Sequence, residues 1–204
     1  MDRTRAKTSS GGRLSSPAAD KYGPHDLDAP PAPTFVDEAG RDIGFVSRDH
    51  LTENDVRSLT GMYVTFDAQS RAHGLPPTSE ASIRDWLDVL GEGYQTLAFH
   101  EDRHIGHAVL VGADDGSYEL AIFVDPAHQH ARIGTRLLDE LLTYAADEGV
   151  ETVTLFVERR NQVAINLYRR MGFEGKHVGT GELEMQLSLT DDSDVPASEW
   201  DTAA

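Results

Sequence analysis

The stretch DPAHQHARIGTRLLDELL, from Asp125 to Leu142, decides how the rest of the chain is read. It has the form of a strand exit, a short polar turn and the start of an amphipathic helix. Ile133, Leu137, Leu141 and Ala145 recur at helical spacing with Leu138 and Leu142 beside them, while Arg132, Arg136, Asp139 and Glu140 fall mostly outside the stripe. The helix is expected from about Ala131 to Glu148, with Gly149 as its stop. A helix start offers N–H groups without intrahelical partners and the positive end of a dipole, so an anion is stabilised there. Turns that cradle phosphates are usually rich in glycine. This one has only Gly134, and an arginine stands two residues before it. Taken alone, the turn fits a phosphate cradle or an ordinary strand–helix connection.

Outward from this stretch the elements fall into a consistent order. Upstream, YQTLAFH, HIGHAVLVGA and SYELAIFV read as three strands, joined by the short turns EDR and DDG that suit antiparallel hairpins. Before them come a strand, IGFVSR, and two helices. Thr52 with Asp55 resembles a capping box, followed by Val56, Leu59, Tyr63 and Phe66 at helical spacing. Ile83, Trp86, Leu87 and Leu90 mark the second helix. Downstream, VETVTLFVE is a buried strand, NQVAINLYRRM a helix capped by Asn161 with Gly172 after its end, and FEGKHVG with ELEMQLSL a closing strand pair. One strand–helix–strand crossover in an otherwise antiparallel sheet predicts a single α+β domain with a mixed sheet and about four helices. Residues 1–34, rich in Ser, Gly, Pro and Ala, are expected to form a disordered tail, 35–189 the folded domain, and 190–204 an acidic tail.

Composition narrows the chemistry. The 204 residues contain no cysteine, which excludes disulfides, thiolate metal sites and a cysteine nucleophile. No apolar run reaches the ~18 residues of a membrane span, and the start lacks a secretory h-region, so a cytoplasmic protein without a membrane partner is expected. The net charge of −17 repels nucleic acid. Only Lys7, Lys21 and Lys176 are lysines, and the acid is spread along the chain, a pattern that suits a salt-adapted organism, a halophile with an acidic proteome. Attraction of cationic substrates such as polyamines is the other reading of the charge.

A second stretch, VERRNQVAINLYRRMGF from Val157 to Phe173, separates the alternatives for the first. Together the two resemble the signature of the GNAT superfamily of acyl-CoA-dependent N-acetyltransferases. The matching parts are Val124-Asp125-Pro126, Gln129 to Gly134, then Asn161, Ala164, Leu167, Tyr168, Gly172 and Phe173. Residues 95–175 carry the resemblance, and the strand–helix–helix order before them agrees with it. One departure stands out: Arg132 falls where the family usually has its first glycine.

The resemblance implies acetyl-CoA as co-substrate and direct transfer of its acetyl group to a primary amine. It implies that Gln129, His130, Ala131, Arg132, Ile133, Gly134 and Thr135 hold the pyrophosphate. Phe123 and Val124 would present a strand edge to the pantetheine arm, with the Val124 N–H as oxyanion donor. Asn161 caps its helix and in the family often contacts the cofactor arm. Tyr168 would be the general acid and Glu119 the general base, its pKa raised by apolar neighbours unless it is paired. Within the loop, Gly134 is expected to tolerate a side chain least. Arg132 either adds a guanidinium to the phosphates or weakens the cradle, and a non-catalytic acyl-CoA-binding module of the same fold is the alternative function.

The acceptor is expected to be a small-molecule or peptide amine, in a cleft walled by residues 51–92, with Tyr63, Phe66, Trp86 and the loop RAHGLPPTSE as candidates. A homodimer is an expectation drawn from the family alone. No metal is expected: strand alternation sets His104 and His107 on opposite faces. His130 near the pyrophosphate, or His107 beside the acceptor cleft, are the histidines with a conceivable role.

Overall fold

The structure, a computed structural model, describes residues 35–67, 75–178 and 181–190. The tails expected at 1–34 and over all but the first residue of 190–204 lie outside the described residues, as does part of the RAHGLPPTSE loop. The elements are β1 (Phe35–Val36), β2 (Asp42–Arg48), α1 (Glu53–Tyr63), α2 (Glu80–Leu90), β3 (Tyr94–His100), β4 (Arg103–Gly112), β5 (Tyr118–Val124), α3 (Ile133–Asp147), β6 (Thr152–Glu158), α4 (Gln162–Arg170), β7 (Glu174–Val178) and β8 (Glu182–Ser188). They build one eight-stranded sheet in the order β1-β2-β3-β4-β5-β6-β8-β7. Only β5 and β6 run parallel, and α3 is the crossover between them.

Local chemistry explains most boundaries. Thr52 accepts the Asp55 N–H at 3.2 Å and Asp55 accepts the Thr52 N–H at 2.8 Å, the reciprocal capping box read from the sequence. Asn161 accepts the Ala164 N–H at 3.1 Å and starts α4. Past Tyr63 the chain tightens, with Thr65 N–H bonded to Met62 O and Phe66 N–H to Tyr63 O. Phe66 therefore leaves the helix but still turns its ring inward, where it is buried. The short strand β1 was not expected. The turn after it is held by the buried Asp37 carboxylate, which accepts from the Ala39 and Arg41 N–H groups at 2.8 and 2.9 Å.

Two cores lie on opposite faces of the sheet. Leu137, Leu138 and Leu141 of α3 are fully buried against Leu110, Leu120, Val153 and Leu155. Burying each such leucine contributes roughly 1.5–3 kcal/mol. On the other face, Leu59 and Tyr63 of α1 and Ile83 and Leu87 of α2 pack on Leu97, Phe99 and Phe123.

Candidate active site

β5 and β6 pair only at Tyr118–Val153 and Glu119–Thr154. Beyond that point they splay apart and leave a polar edge on each strand. Asp125 N–H bonds Ile105 O at 2.9 Å, on the β4 side. Alternation along an extended strand then directs the Val124 and Ile122 N–H groups away from β4, toward the splay. The Val124 carbonyl accepts the Gln129 side-chain amide at 3.0 Å, which fixes the loop that follows.

A cleft of about 1040 Å³ occupies the splay and runs onto the start of α3. It is lined by Ile122, Val124, Gln129, His130, Arg132, Ile133, Gly134, Thr135, Asn161 and Tyr168 among others. Pro126–His128 form a 3-10 turn, with the Asp125 side chain accepting from Ala127 N–H and bonding His128 Nδ1 at 2.9 Å. The first bond of α3 runs from Arg136 N–H to Arg132 O. The N–H groups of Ile133, Gly134 and Thr135 precede it and face the cleft mouth without an intrahelical acceptor.

The loop reaches this shape against local preference. His130 and Arg132 both take the left-handed conformation, at φ 61° and 63°. A side chain there costs on the order of 1–2 kcal/mol, which is why glycine is common at such positions. The Arg132 guanidinium pairs with Glu38, which also lines the cleft, at 2.6 Å. A second strap ties the same turn down: Arg41 Nη1 donates to Ala127 O at 3.3 Å. A Cβ on Gly134 would meet Val124 Cγ2 at 3.6 Å and Leu167 Cδ2 at 4.0 Å. That is ordinary contact, so the protein itself has room for a side chain there, contrary to expectation. Only a ligand lying against Gly134 would make the glycine necessary.

Tyr168 projects from α4 into the cleft, packed against Phe173 and only 9% exposed. Among the described residues its hydroxyl has no hydrogen-bond partner. Burial pushes its pKa up to about 12. Phe156 and Glu158 of β6 also line the cleft, Phe156 being 46% exposed. Neither was singled out from the sequence, where both read as ordinary residues of a buried strand. Glu38 was missed as well, because its contact with the loop spans a long stretch of chain.

Several expected residues lie elsewhere. Glu119 is exposed and does not line the cleft, so the apolar surroundings expected for it are absent. Phe123 turns its ring to the opposite face, against Tyr63, Phe66 and Trp86, and its neighbours Ile122 and Val124 supply the cleft wall. Ala131 is buried in the core and anchors the loop without lining the cleft. Tyr63 and Phe66 are buried core residues and have no surface to offer an acceptor, while Trp86 is half-buried.

The histidines correct the alternation argument. Phe99 pairs with His104 but Ala98 pairs with Gly106, so Ile105 is an extra residue on β4. The bulge shifts the parity and brings His104 and His107 to one face, under α1. His104 bonds the Asp55 carboxylate at 3.1 Å and His107 the Tyr63 hydroxyl at 2.7 Å. Burial alone would raise the pKa of Asp55, but bonds from His104 and Thr52 and the Arg48 guanidinium at 2.7 Å hold it below the usual value. No described helix is long and apolar enough to cross a membrane.

The Acetyltransferase (GNAT) family model matches residues 59–173, which takes in the C-terminal end of α1, the splay, the loop and α4. The chain belongs to the GNAT family. An uncharacterised N-acetyltransferase of Methanocaldococcus jannaschii is 44% identical over 64 residues, 31% of this chain and 28% of that protein. The ribosomal protein bS18-alanine N-acetyltransferase of Salmonella typhimurium is 30% identical over 119 residues, 58% of this chain and 78% of that one. The match therefore spans under a third of the first relative and most of the second. The solved structure of yncA from Salmonella typhimurium, with its cofactor acetyl-CoA, shares the fold at a TM-score of 0.58 and 21% identity, covering 76% of this chain and 99% of that one.

Proposed function

We propose that this GNAT protein transfers an acetyl group from acetyl-CoA to an amine by direct transfer. The observation that carries the reading is the β5–β6 splay, with a helix N-terminus at one end and the Tyr168 hydroxyl within. The residues present fit the cofactor: an anion-stabilising helix start, an unpaired strand edge and apolar walls follow one another along one cleft. When bound, acetyl-CoA supplies an activated acetyl thioester and a thiol as leaving group.

The N–H groups of Ile133, Gly134 and Thr135 would hold the phosphates, with His130 and Gln129 beside them. Ile122 and Val124 would pair with the pantetheine arm, and the Val124 N–H would donate to the carbonyl that is attacked. Such a preorganised donor is worth roughly 3–4 kcal/mol in comparable sites. The Tyr168 hydroxyl holds a proton throughout the neutral range, because burial favours its neutral form. A thiolate leaving into the same dry site has its proton affinity raised by the same effect, so the hydroxyl would serve as its proton donor. On the acceptor side the carboxylate lining the cleft is Glu158, ion-paired with Arg160. It is better placed than Glu119 to take the proton of the amine. The absence of cysteine agrees with direct transfer.

The acceptor is a small-molecule or peptide amine, in line with the alanine acceptor named for the Salmonella relative. Thermal-shift titration with acetyl-CoA, run beside thiol-release assays over a panel of amines, tests the reading. Stabilisation with turnover on at least one amine is expected. Stabilisation without any turnover would instead identify a non-catalytic acyl-CoA-binding module.

A further inference from the structure

Two tethers tie the β1–β2 turn to the loop before α3, and they differ in kind. The first is built into the turn itself. The buried Asp37 carboxylate accepts from Arg41 Nε at 2.6 Å, and Arg41 Nη1 donates to Ala127 O at 3.3 Å. The second is the Arg132–Glu38 ion pair, whose side chains are 74% and 53% exposed. A pair so open to water adds little to the stability of the fold, and its partners separate at small cost. Its consequence lies in the cleft.

Arg132 is the N-cap residue of α3, and both it and Glu38 line the cleft. The stem of the guanidinium is therefore rooted beside the Ile133, Gly134 and Thr135 N–H groups, where an anion is stabilised. A guanidinium is permanently charged, and its planar fork of donors matches phosphate and carboxylate alike. Here a carboxylate already holds it. A second arginine of the cleft, Arg160, is likewise paired with Glu158, which also lines it. These two cations enter the cleft with their charges answered by the protein's own carboxylates.

We infer that Glu38 masks Arg132: it competes with the phosphates of acetyl-CoA for the guanidinium and sets cofactor affinity below what the loop could reach. Glu38 is then a positioning residue, acting through Arg132 and not by contact with the cofactor. This rests on the acetyl-CoA reading of the cleft above. Acetyl-CoA and released CoA carry the same phosphates, so the mask loosens both, and the product leaves more readily. Removing the Glu38 charge frees the guanidinium while the Asp37–Arg41–Ala127 tether still holds the turn against the loop.

A double-mutant cycle read by calorimetry tests the mask. Acetyl-CoA is titrated into the wild type, Glu38→Gln, Arg132→Gly and the double variant, each as the full chain at low salt. Glu38→Gln should tighten binding by about three- to tenfold, the effect of one freed cation beside the phosphates. The gain should vanish when Arg132 is already glycine, since no guanidinium remains to be released. It should also shrink toward one at ~1 M salt, which screens the new contact. Unchanged or weaker binding by Glu38→Gln would overturn this inference and leave the acetyl-CoA reading standing. A gain of full size in the double variant would overturn it too, because Glu38 would then act by its own charge and not through Arg132. No binding of acetyl-CoA by any of the four proteins would overturn both.

Discussion

Acid should destabilise this domain through His107 before its carboxylates titrate. The imidazole is fully buried, with Nδ1 2.7 Å from the Tyr63 hydroxyl and Nε2 2.6 Å from Gln95 Oε1. The Gln95 amide nitrogen donates to the carbonyls of Leu90 and Gly93, so its oxygen faces His107 and can only accept. Nε2 therefore carries the proton, and Nδ1 accepts from Tyr63. A second proton would meet a hydroxyl that is already donating. Burial, helped by His104 and opposed by Asp55, lowers the pKa of the ring from 6.5 to about 3. In the unfolded chain the ring titrates near its ordinary value of about 6.5. Between those two pKa values the unfolded state binds the extra proton and the folded state does not. Stability from this residue is thus full above ~6.5 and is lost as pH falls toward ~3. At about 1.36 kcal/mol per unit, the loss at pH ~5 is about 2 kcal/mol. Asp55, whose pKa is lowered, loses its share only further into acid. Urea unfolding of the wild type and of His107→Gln, each at neutral pH and near pH 5, isolates the effect. The wild type should lose about 2 kcal/mol more than the variant on acidification. Equal losses in the two proteins would refute the assignment of a neutral, fully bonded His107.

Arg132→Gly should leave acetyl-CoA affinity within about twofold by calorimetry, because the guanidinium is held by Glu38 and the backbone N–H remains; a tenfold loss would make the arginine a phosphate ligand. Gly93→Ala should destabilise by at least about 1–3 kcal/mol in denaturant unfolding, since its Cβ would meet Leu110 O at 2.2 Å. An unchanged midpoint would show that the β3 start yields freely. The melting temperature should rise between ~0.1 and ~1 M KCl as the Debye length falls from about 10 to about 3 Å and screens the repulsion of a −17 chain. A flat or falling melting temperature would contradict that. Glu158→Gln should lower kcat/KM more than Glu119→Gln, and the reverse order would return the base to β5.

The fold was legible where apolar spacing repeats. The α3 stripe and the β3–β5 hairpins follow from periodicity, and Thr52 and Asn161 announce their helices by capping. The position of the candidate site was legible at the start of α3 and at Tyr168, which both line the cleft. It was misread where side-chain direction depends on one inserted residue. The bulge at Ile105 cannot be seen in HIGHAVLVGA, yet it decides where both histidines point. Phe123 was lost to parity in the same way: adjacent strand residues face opposite sides, and an edge named as a pair contains only one that looks into the cleft. Glu38, Phe156 and Glu158 came from elements whose proximity to the loop or to Tyr168 is set by sheet order, which no local pattern encodes.

The central claim is that Tyr168 donates a proton in the cleft formed by the β5–β6 splay. Tyr168→Phe keeps the ring that packs on Phe173 and removes only the hydroxyl. Steady-state CoA release by this variant, with an acceptor that the wild type turns over, measures the claim most directly. A positioned general acid contributes typically 10²–10⁴-fold, so kcat should fall by about a hundredfold or more while the KM for acetyl-CoA stays within about twofold. An unchanged kcat would contradict the account.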